Sequence, residues 1–283
     1  MKLLSLLSLT ATAAMAQSSA EQPNFGFNKL YELQQGFWEK FAYPNNVKEA
    51  ESINSTIFAE NVLGRVSDTR NFEGRELNTE YIFALFTPSE AAGIVGRPGK
   101  ARIVSFLGQQ NIASASTVVN FTFPQFRNLS LPVWIDTWIT WNEKEEISQY
   151  DAVFRWFGNL VQTLIGTIDP DPEKAAAKAQ DMVATSVCNT HQKYCNGTNT
   201  QYDDYNDCYH FLTKEIRMGQ VFESGMNTLM CRSIHEIMVK SRPSVHCPHI
   251  GKTGGGMCDD LTSYKARVEQ DYFTNAPWIP TAL

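Results

Sequence analysis

The spacing of apolar residues changes twice along the chain. At the start, apolar residues recur at helical spacing: Phe27, Leu30, Tyr31, Phe37, Trp38 and Phe41. The turn residues 43–46 end this helix. Residues 47–58 predict a second helix, 61–70 a short strand and 75–86 a third helix. The first part of the chain is therefore predicted to be mostly helical.

From Arg102 onward the pattern is that of strands. Four runs rich in β-branched and aromatic residues predict strands over 102–107, 112–123, 131–141 and 147–157. A charged turn, 142–146, joins the last two as a hairpin. Helices followed by long antiparallel strands predict an α+β fold, with helices packed on one face of a curved sheet.

The run Asp-Pro-Asp-Pro at 169–172 is the predicted boundary between two units, because prolines start helices well but do not continue them. Beyond it the pattern is helical, over 173–190, 205–218, 226–240 and 261–272. All six cysteines and all five histidines lie between Cys188 and Cys258. We therefore expect an N-terminal domain over 24–168 and a cross-linked helical extension over 173–283.

Residues 1–16 have the features of a secretory signal peptide. Lys2 precedes an apolar run, 3–14, and Ala14-Met15-Ala16 forms a cleavage site that leaves Gln17 first. Four N-x-S/T sequons agree with export: Asn54, Asn120, Asn128 and Asn196. No later segment is long and apolar enough to span a bilayer. We expect a glycosylated protein that is secreted or held in the secretory pathway.

The six cysteines are expected to form three disulfides, because the secretory pathway is oxidising. These residues are Cys188, Cys195, Cys208, Cys231, Cys247 and Cys258. Sequence alone does not choose among their pairings. Local geometry favours pairing in sequential order, with Cys188 joined to Cys195, the next two joined, and the last two joined around a glycine-rich loop, 251–256.

Two stretches resemble a known family. They are Ile57-Phe58-Ala59-Glu60-Asn61-Val62, followed by 72–77, and the hairpin 138–151. Through them, residues 28–165 resemble the SnoaL-like branch of the NTF2-like superfamily. The resemblance implies a cone of helices on a curved sheet with an apolar pocket between them. Its members include cofactor-free cyclases, isomerases, dehydratases and epoxide hydrolases, and also binding or dimerisation modules without activity.

The resemblance also implies which positions face the pocket. Where steroid isomerases of the superfamily carry a tyrosine and two aspartates, this chain has Trp38, Val66 and Thr137, so that acid–base chemistry is expected to be absent. A shift of one residue would bring Asp136 to the last position. The residues expected on the concave face are Trp38, Ile139, Trp141, Tyr150, Ala152 and Phe154. Such a lining suits a polyketide- or terpenoid-sized ligand, and the alternative is that these aromatics are core.

Four polar residues lie among apolar neighbours in the N-terminal domain: Asp151, Asp136, Arg65 and Tyr81. A carboxyl group in apolar surroundings has a raised pKa and can act as a general acid or base. We rank Asp151 first and Asp136 second as reactive candidates. The alternative for each aspartate is an ion pair with Arg65 or exposure on the convex face of the sheet.

His235, His246 and His249 lie near Cys231 and Cys247, which is a pattern that can bind zinc. Against a metal site, Cys247 is expected to be oxidised, and Val239 occupies the second histidine position of an H-E-x-x-H motif. We expect no metal, and His246 and His249 to hydrogen-bond loop carbonyls. Gly251-Lys252-Thr253 does not complete a phosphate-binding loop, because His246 replaces its first glycine.

The leading functional hypothesis is an enzyme, a cyclase, isomerase or dehydratase acting without cofactor on an apolar secondary metabolite. One alternative is a secreted carrier or sensor of a lipophilic ligand. Another is an interaction module in which the disulfide-linked face meets another protein. The net charge of −6 argues against nucleic acid as a partner, and the sheet face is a candidate surface for a homodimer.

Overall fold

The computed structural model describes residues 23–87, 91–92 and 94–270. The predicted signal peptide, 1–16, lies outside these residues. The strands are β1 (Phe58–Val66), β2 (Asn71–Glu73), β3 (Arg97–Gln109), β4 (Ile112–Phe123), β5 (Leu129–Trp141) and β6 (Ile147–Phe154). The helices are α1 (Phe27–Phe41), α2 (Asn45–Glu51), α3 (Arg75–Ile82), α4 (Phe157–Gly166), α5 (Pro172–Tyr194), α6 (Tyr205–His210), α7 (Leu229–Val239), α8 (Pro243–Ile250) and α9 (Tyr264–Val268).

The six strands form one sheet in the order β2-β1-β6-β5-β4-β3. Strands β3 to β6 follow one another as antiparallel neighbours. The predicted run of antiparallel strands is confirmed, and β1, whose partner the sequence did not predict, pairs with β6 in parallel. Strands β3 to β6 form a four-stranded meander. Its last strand, β6, lies beside β1 and runs in the same direction as β1. The predicted α+β architecture, with helices on a curved sheet and a disulfide-linked helical extension, is confirmed.

Helix α1 packs its buried stripe, Leu30, Phe37, Trp38 and Phe41, on the sheet. The stripe comes close to the backbone of β3 at Gly108. A Cβ atom at Gly108 would lie 2.9 Å from Leu30 Cδ1, so a larger residue there would push the helix away. The contact explains why a residue without a side chain is needed at this position of β3.

Two element boundaries differ from the sequence prediction, and near each of them a residue with a left-handed φ turns the chain. The helix predicted over 47–58 ends at Glu51, and Ile53 adopts a left-handed φ of 62° before β1 begins at Phe58. The strand predicted to reach residue 157 ends at Phe154. Trp156 has a left-handed φ of 54° and turns the chain into α4, which the prediction lacked.

The three disulfides join Cys188 to Cys208, Cys195 to Cys247, and Cys231 to Cys258. The sequential pairing expected from the sequence is therefore wrong. Cys188 lies in α5 and Cys195 caps its end, so the two are separated by about 10 Å along the helix axis at about 1.5 Å per residue. A disulfide needs Cα atoms about 4.4–6.8 Å apart. Each half-cystine pairs instead with a neighbouring segment.

The glycine-rich loop wraps around a buried guanidinium group. Arg232 is fully buried, and it donates hydrogen bonds to the carbonyls of Gly251 (3.1 Å) and Lys252 (3.2 Å). Gly254, Gly255 and Gly256 all have φ between 55° and 74°, which favours glycine. The loop thus directs carbonyl groups at a cation, as a tight structural turn.

The four sequon residues Asn54, Asn120, Asn128 and Asn196 are all exposed. Glycosylation at these positions stays a prediction, because exposure is necessary for it and does not establish it. Among the residues described, none of the helices has the length and apolar character to cross a membrane.

We expect replacement of Cys195 and Cys247 by alanine to lower the free energy of unfolding by about 4 kcal/mol, and replacement of Cys188 and Cys208 by about 3 kcal/mol. The first pair closes 52 residues of chain and the second closes 20, so the first restricts the unfolded chain more. Chemical denaturation measures the difference. Non-reducing peptide mapping that found Cys188 linked to Cys195 would contradict the observed pairing.

Candidate functional site

A cavity lies between the concave face of the sheet and the helices. It contains about 1350 Å³ of space not occupied by atoms, part of it open to solvent. Its walls come from α1, the region from α3 to Phe86, the segment 94–96, strands β4 to β6, and α4. The helical extension completes the wall with Ser224, Gly225, Ile234, His235 and Met257. The site is thus built by both parts of the chain.

The three positions that the family resemblance was expected to match to the acid–base residues of steroid isomerases all border the cavity. They are Trp38 on α1, Val66 at the end of β1 and Thr137 on β5. None of these side chains is a carboxylic acid or a phenol. Strand alternation places Thr137, and not Asp136, on the inner face, because Ile135 and Ile139 also line the cavity.

Asp136, Asp151 and Arg65 do not border the cavity, so their predicted catalytic role has no support from the cavity and stays a prediction. Asp151 pairs with Arg65 across β6 and β1. Asp136 accepts hydrogen bonds from Ser116 and Trp134 and pairs with Arg155. Partial burial acts to raise the pKa of Asp136, but the hydrogen bonds from its partners hold it below the usual value. Both aspartates form ion pairs on the outer face of the sheet.

Four of the five residues predicted to bind substrate border the cavity: Trp38, Ile139, Tyr150 and Phe154. Ala152, expected on the same face, lies beside them. Trp141 is a correction, because it is 1% exposed in the hydrophobic core and is not on the cavity wall. It lies at the end of β5, where Asn111 donates to its carbonyl, beyond the part of the strand that the cavity reaches. Binding of a ligand by the other four stays a prediction.

Tyr81, the fourth predicted catalytic residue, does border the cavity, and it meets a histidine from the extension. The Tyr81 hydroxyl lies 3.0 Å from His235 Nδ1, and both residues are on the cavity wall. The Tyr81 ring stacks on Phe72 at 4.4 Å between centroids, which holds the phenol in place. The hydrogen bond joins α3 to α7 across the seam between the two parts of the chain.

Burial controls the charge of this pair. Burial is the largest cause that raises the pKa of Tyr81 well above its ordinary value. The neighbouring Glu80 carboxylate raises this pKa further, and Arg70 lowers it. Burial also lowers the pKa of His235 well below its ordinary value, assisted by nearby histidines and arginines. At neutral pH the phenol therefore keeps its proton and the imidazole is neutral.

A few other polar groups face the apolar cavity. In the part of the chain that the structure describes, three buried atoms on the cavity wall lack a hydrogen-bond partner: Trp38 Nε1, Ser67 Oγ and Arg70 Nε. Leaving such donors unpaired in a buried site costs free energy. An apolar cavity with a few convergent donors is typical of a site for an apolar ligand that carries isolated oxygen atoms.

His235, His246 and His249 form a cluster behind Tyr81, and the sequence pattern did not predict its partners on α3. His246 Nε2 lies 2.6 Å from Glu80 Oε1, and His249 Nδ1 lies 3.2 Å from His246 Nδ1. The expectation that His246 and His249 hydrogen-bond loop carbonyls is therefore wrong. The sequence showed that all five histidines lie in the extension. It did not show that α3 would supply their partners.

Two protein-family models match this chain, and together they cover all the residues of the cavity wall. Residues 35–152 match the family model described as the BfoA N-terminal domain, and residues 153–261 match the BfoA family C-terminal domain. The division at 152/153 precedes α4, whereas the boundary predicted from the prolines follows it. The domain limits 24–168 and 173–283 stay predictions.

Two relatives match nearly the full length. Bifonsecin B biosynthesis cluster protein A of Aspergillus brasiliensis is 48% identical over 268 residues, covering 93% of this chain and 90% of that protein. Aurasperone B biosynthesis cluster protein A of Aspergillus niger is 47% identical over 269 residues, covering 94% and 88%. A solved structure of an M. tuberculosis LEH-like epoxide hydrolase is 9% identical, with a TM-score of 0.37 over 51% of this chain and 98% of that one. We draw no functional conclusion from a likeness this weak.

Two adjacent positions test the cavity with the same substitution. Ala152 borders the cavity, and Val153 is exposed on the opposite face of β6. We expect Ala152→Phe to weaken binding of an apolar fluorescent dye by about tenfold or more, because it fills the cavity, and Val153→Phe to leave binding unchanged. Thermal melts check that both variants fold. Equal effects of the two substitutions would contradict the cavity assignment.

Proposed function

Since the chain belongs to the BfoA family, we propose that it acts in secondary-metabolite biosynthesis as a cyclase, isomerase or dehydratase. Its substrate is an apolar polyketide or terpenoid. The names of its relatives support the biosynthetic setting, because both relatives belong to biosynthesis clusters. The apolar cavity supports the substrate class, since it offers aromatic surface and few polar groups.

The observation that carries the proposal is the Tyr81–His235 pair on the cavity wall. A protonated phenol in apolar surroundings is a good hydrogen-bond donor to a carbonyl oxygen on which negative charge develops. Polarising such a carbonyl promotes enolisation, ring closure or loss of water from a substrate held beside it. These reactions need no redox cofactor.

The other cavity groups orient the substrate. Trp38, Ser67 and Arg70 present unpaired donors to oxygen atoms elsewhere on the molecule. The aromatic walls hold a flexible chain in a folded conformation, so that reacting atoms lie near one another. Proximity and orientation of this kind supply a large part of the rate enhancement in cyclisations.

A second candidate function is a carrier of the same class of molecule. Among the described residues on the cavity wall, none is an aspartate or a glutamate, so none of them can act as a carboxylate base. A carrier needs only the apolar surface and the donors. The interaction module and the homodimer remain further alternatives, and Trp138 and Val153 give the outer face of the sheet exposed apolar residues.

We expect Tyr81→Phe to abolish turnover and to keep ligand binding. The substitution removes the hydroxyl group and leaves the ring that stacks on Phe72. Loss of a donor to a developing oxyanion lowers kcat by about 100- to 1000-fold. The measurement is metabolite profiling of a strain lacking the gene and complemented with each variant, followed by assay of the purified protein on the intermediate that accumulates.

The matched control is Tyr209→Phe, which removes an exposed hydroxyl that donates to Asp181 outside the cavity. It should restore product as the unmodified gene does. Full restoration by Tyr81→Phe would reject the proposed role of the hydroxyl. Stoichiometric binding of the intermediate without any turnover by the unmodified protein would favour the carrier.

We also propose that the protein acts in the secretory pathway. The mature protein from culture should begin at Gln17, and endoglycosidase treatment should reduce its mass because glycans are attached at some of the exposed sequons. N-terminal sequencing and intact-mass measurement test both points. A protein that retains Met1 and shows no mass change would contradict this localisation.

A further inference from the structure

Three imidazole groups converge behind the cavity wall. His235 lies on α7, while His246 and His249 lie one helical turn apart on α8. One nitrogen of each lies within 4.8 Å of the others. His235 and His246 are buried, at 4% and 0% exposure, and His249 is partly buried.

One pair of nitrogens in the cluster has the spacing of neighbouring ligands to one metal ion. His246 Nδ1 and His249 Nδ1 lie 3.2 Å apart. Two nitrogens bound to one tetrahedral ion at about 2.0–2.1 Å are separated by about 3.3–3.4 Å. The two side chains thus already occupy the relative positions of neighbouring ligands.

The remaining nitrogens of two histidines have partners that orient metal-binding imidazoles in other proteins. His246 Nε2 contacts the Glu80 carboxylate at 2.6 Å, which leaves Nδ1 for a ligand role. His235 Nδ1 contacts the Tyr81 hydroxyl at 3.0 Å, which leaves Nε2. A carboxylate or similar group on the outer nitrogen fixes the tautomer of a metal-bound histidine and raises its affinity.

Charged groups of both signs surround the cluster. Glu80 is buried, and together with Glu76 it contacts the guanidinium group of Arg242. The buried guanidinium group of Arg232 lies on α7 with His235. The nearby Arg70 is paired with Asp259 at 3.2 Å.

From this geometry we propose that His235, His246 and His249 bind one divalent transition-metal ion, with Zn²⁺ the best match to three imidazoles. The sequence argued against a metal because Cys247 was expected to be oxidised and because Val239 breaks an H-E-x-x-H motif; Cys247 is joined to Cys195 in a disulfide. The histidines form a site without cysteine ligands. Three protein ligands are typical of zinc sites that keep a position open.

The proposed ion has two consequences for the structure. It fixes α7 and α8 to each other behind the wall that α3 forms. It also sets the tautomer of His235: an ion on Nε2 places the proton on Nδ1, which then donates to the Tyr81 oxygen. The Tyr81 proton is thereby left for a ligand in the cavity. This second consequence rests on the proposed function, whereas metal binding does not.

The test titrates Zn²⁺ into the chelator-treated mature protein, with its disulfides intact, by isothermal calorimetry. We expect one equivalent to bind and the melting temperature to rise. His246→Gln and His249→Gln should weaken binding by about 100-fold or more, and Glu80→Gln by about 10- to 100-fold. The matched control is His210→Gln, because His210 is exposed outside the cluster; it should bind Zn²⁺ as the unmodified protein does.

A second measurement does not depend on the folding of variants. In the unmodified protein with ¹⁵N-labelled histidine, Zn²⁺ should shift the ring signals of His235, His246 and His249 and leave those of His191 and His210 in place. Absence of stoichiometric binding, or equal binding by His249→Gln, would overturn the metal site. Loss of activity in Tyr81→Phe would stand in that case, so failure of this inference is distinguishable from failure of the proposed function.

Discussion

The concave face of the curved sheet is apolar, so other parts of the chain must cover it to exclude water. The arrangement of the helices and of the extension follows from this requirement. Helix α1 and the region around α3 cover only part of it. The extension supplies the remaining cover through Ile234, His235 and Met257, and the three disulfides hold its helices together while it does so. The space left between these layers is the cavity. A cavity wall shared by both parts of the chain explains why the two family segments occur together in one protein.

Covering the sheet in this way buries polar groups of α3 at the seam. An isolated buried carboxylate or phenol is costly, because it loses its hydrogen bonds to water. The extension meets this requirement with histidines: His246 contacts Glu80, and His235 contacts Tyr81. The same contacts bring three imidazoles together. The polar cluster is therefore both the means by which the two parts fit and the place where chemistry is most plausible.

Strand alternation decides which polar residues face the cavity. Along β5 and β6 the inward positions hold Thr137, Ile139, Tyr150 and Ala152, while Asp136 and Asp151 point to the outer face and pair with arginines. The carboxylates are thereby excluded from the cavity. Hydrogen-bond donors remain inside, which suits stabilisation of an oxyanion better than removal of a proton by a carboxylate base.

Local patterns in the sequence were sufficient for the helix-then-strand order, the α+β class, the exposed sequons and most of the aromatic cavity wall, because hydrophobic periodicity is a property of neighbouring residues. The tertiary structure decided what depends on residues far apart in sequence. It paired Cys195 with Cys247 across 52 residues, placed β1 parallel to β6, and moved Trp141 into the core. It also brought Tyr81 to His235, 154 positions later. No local pattern encodes these contacts, because each joins residues that come together only when distant parts of the chain pack in the fold.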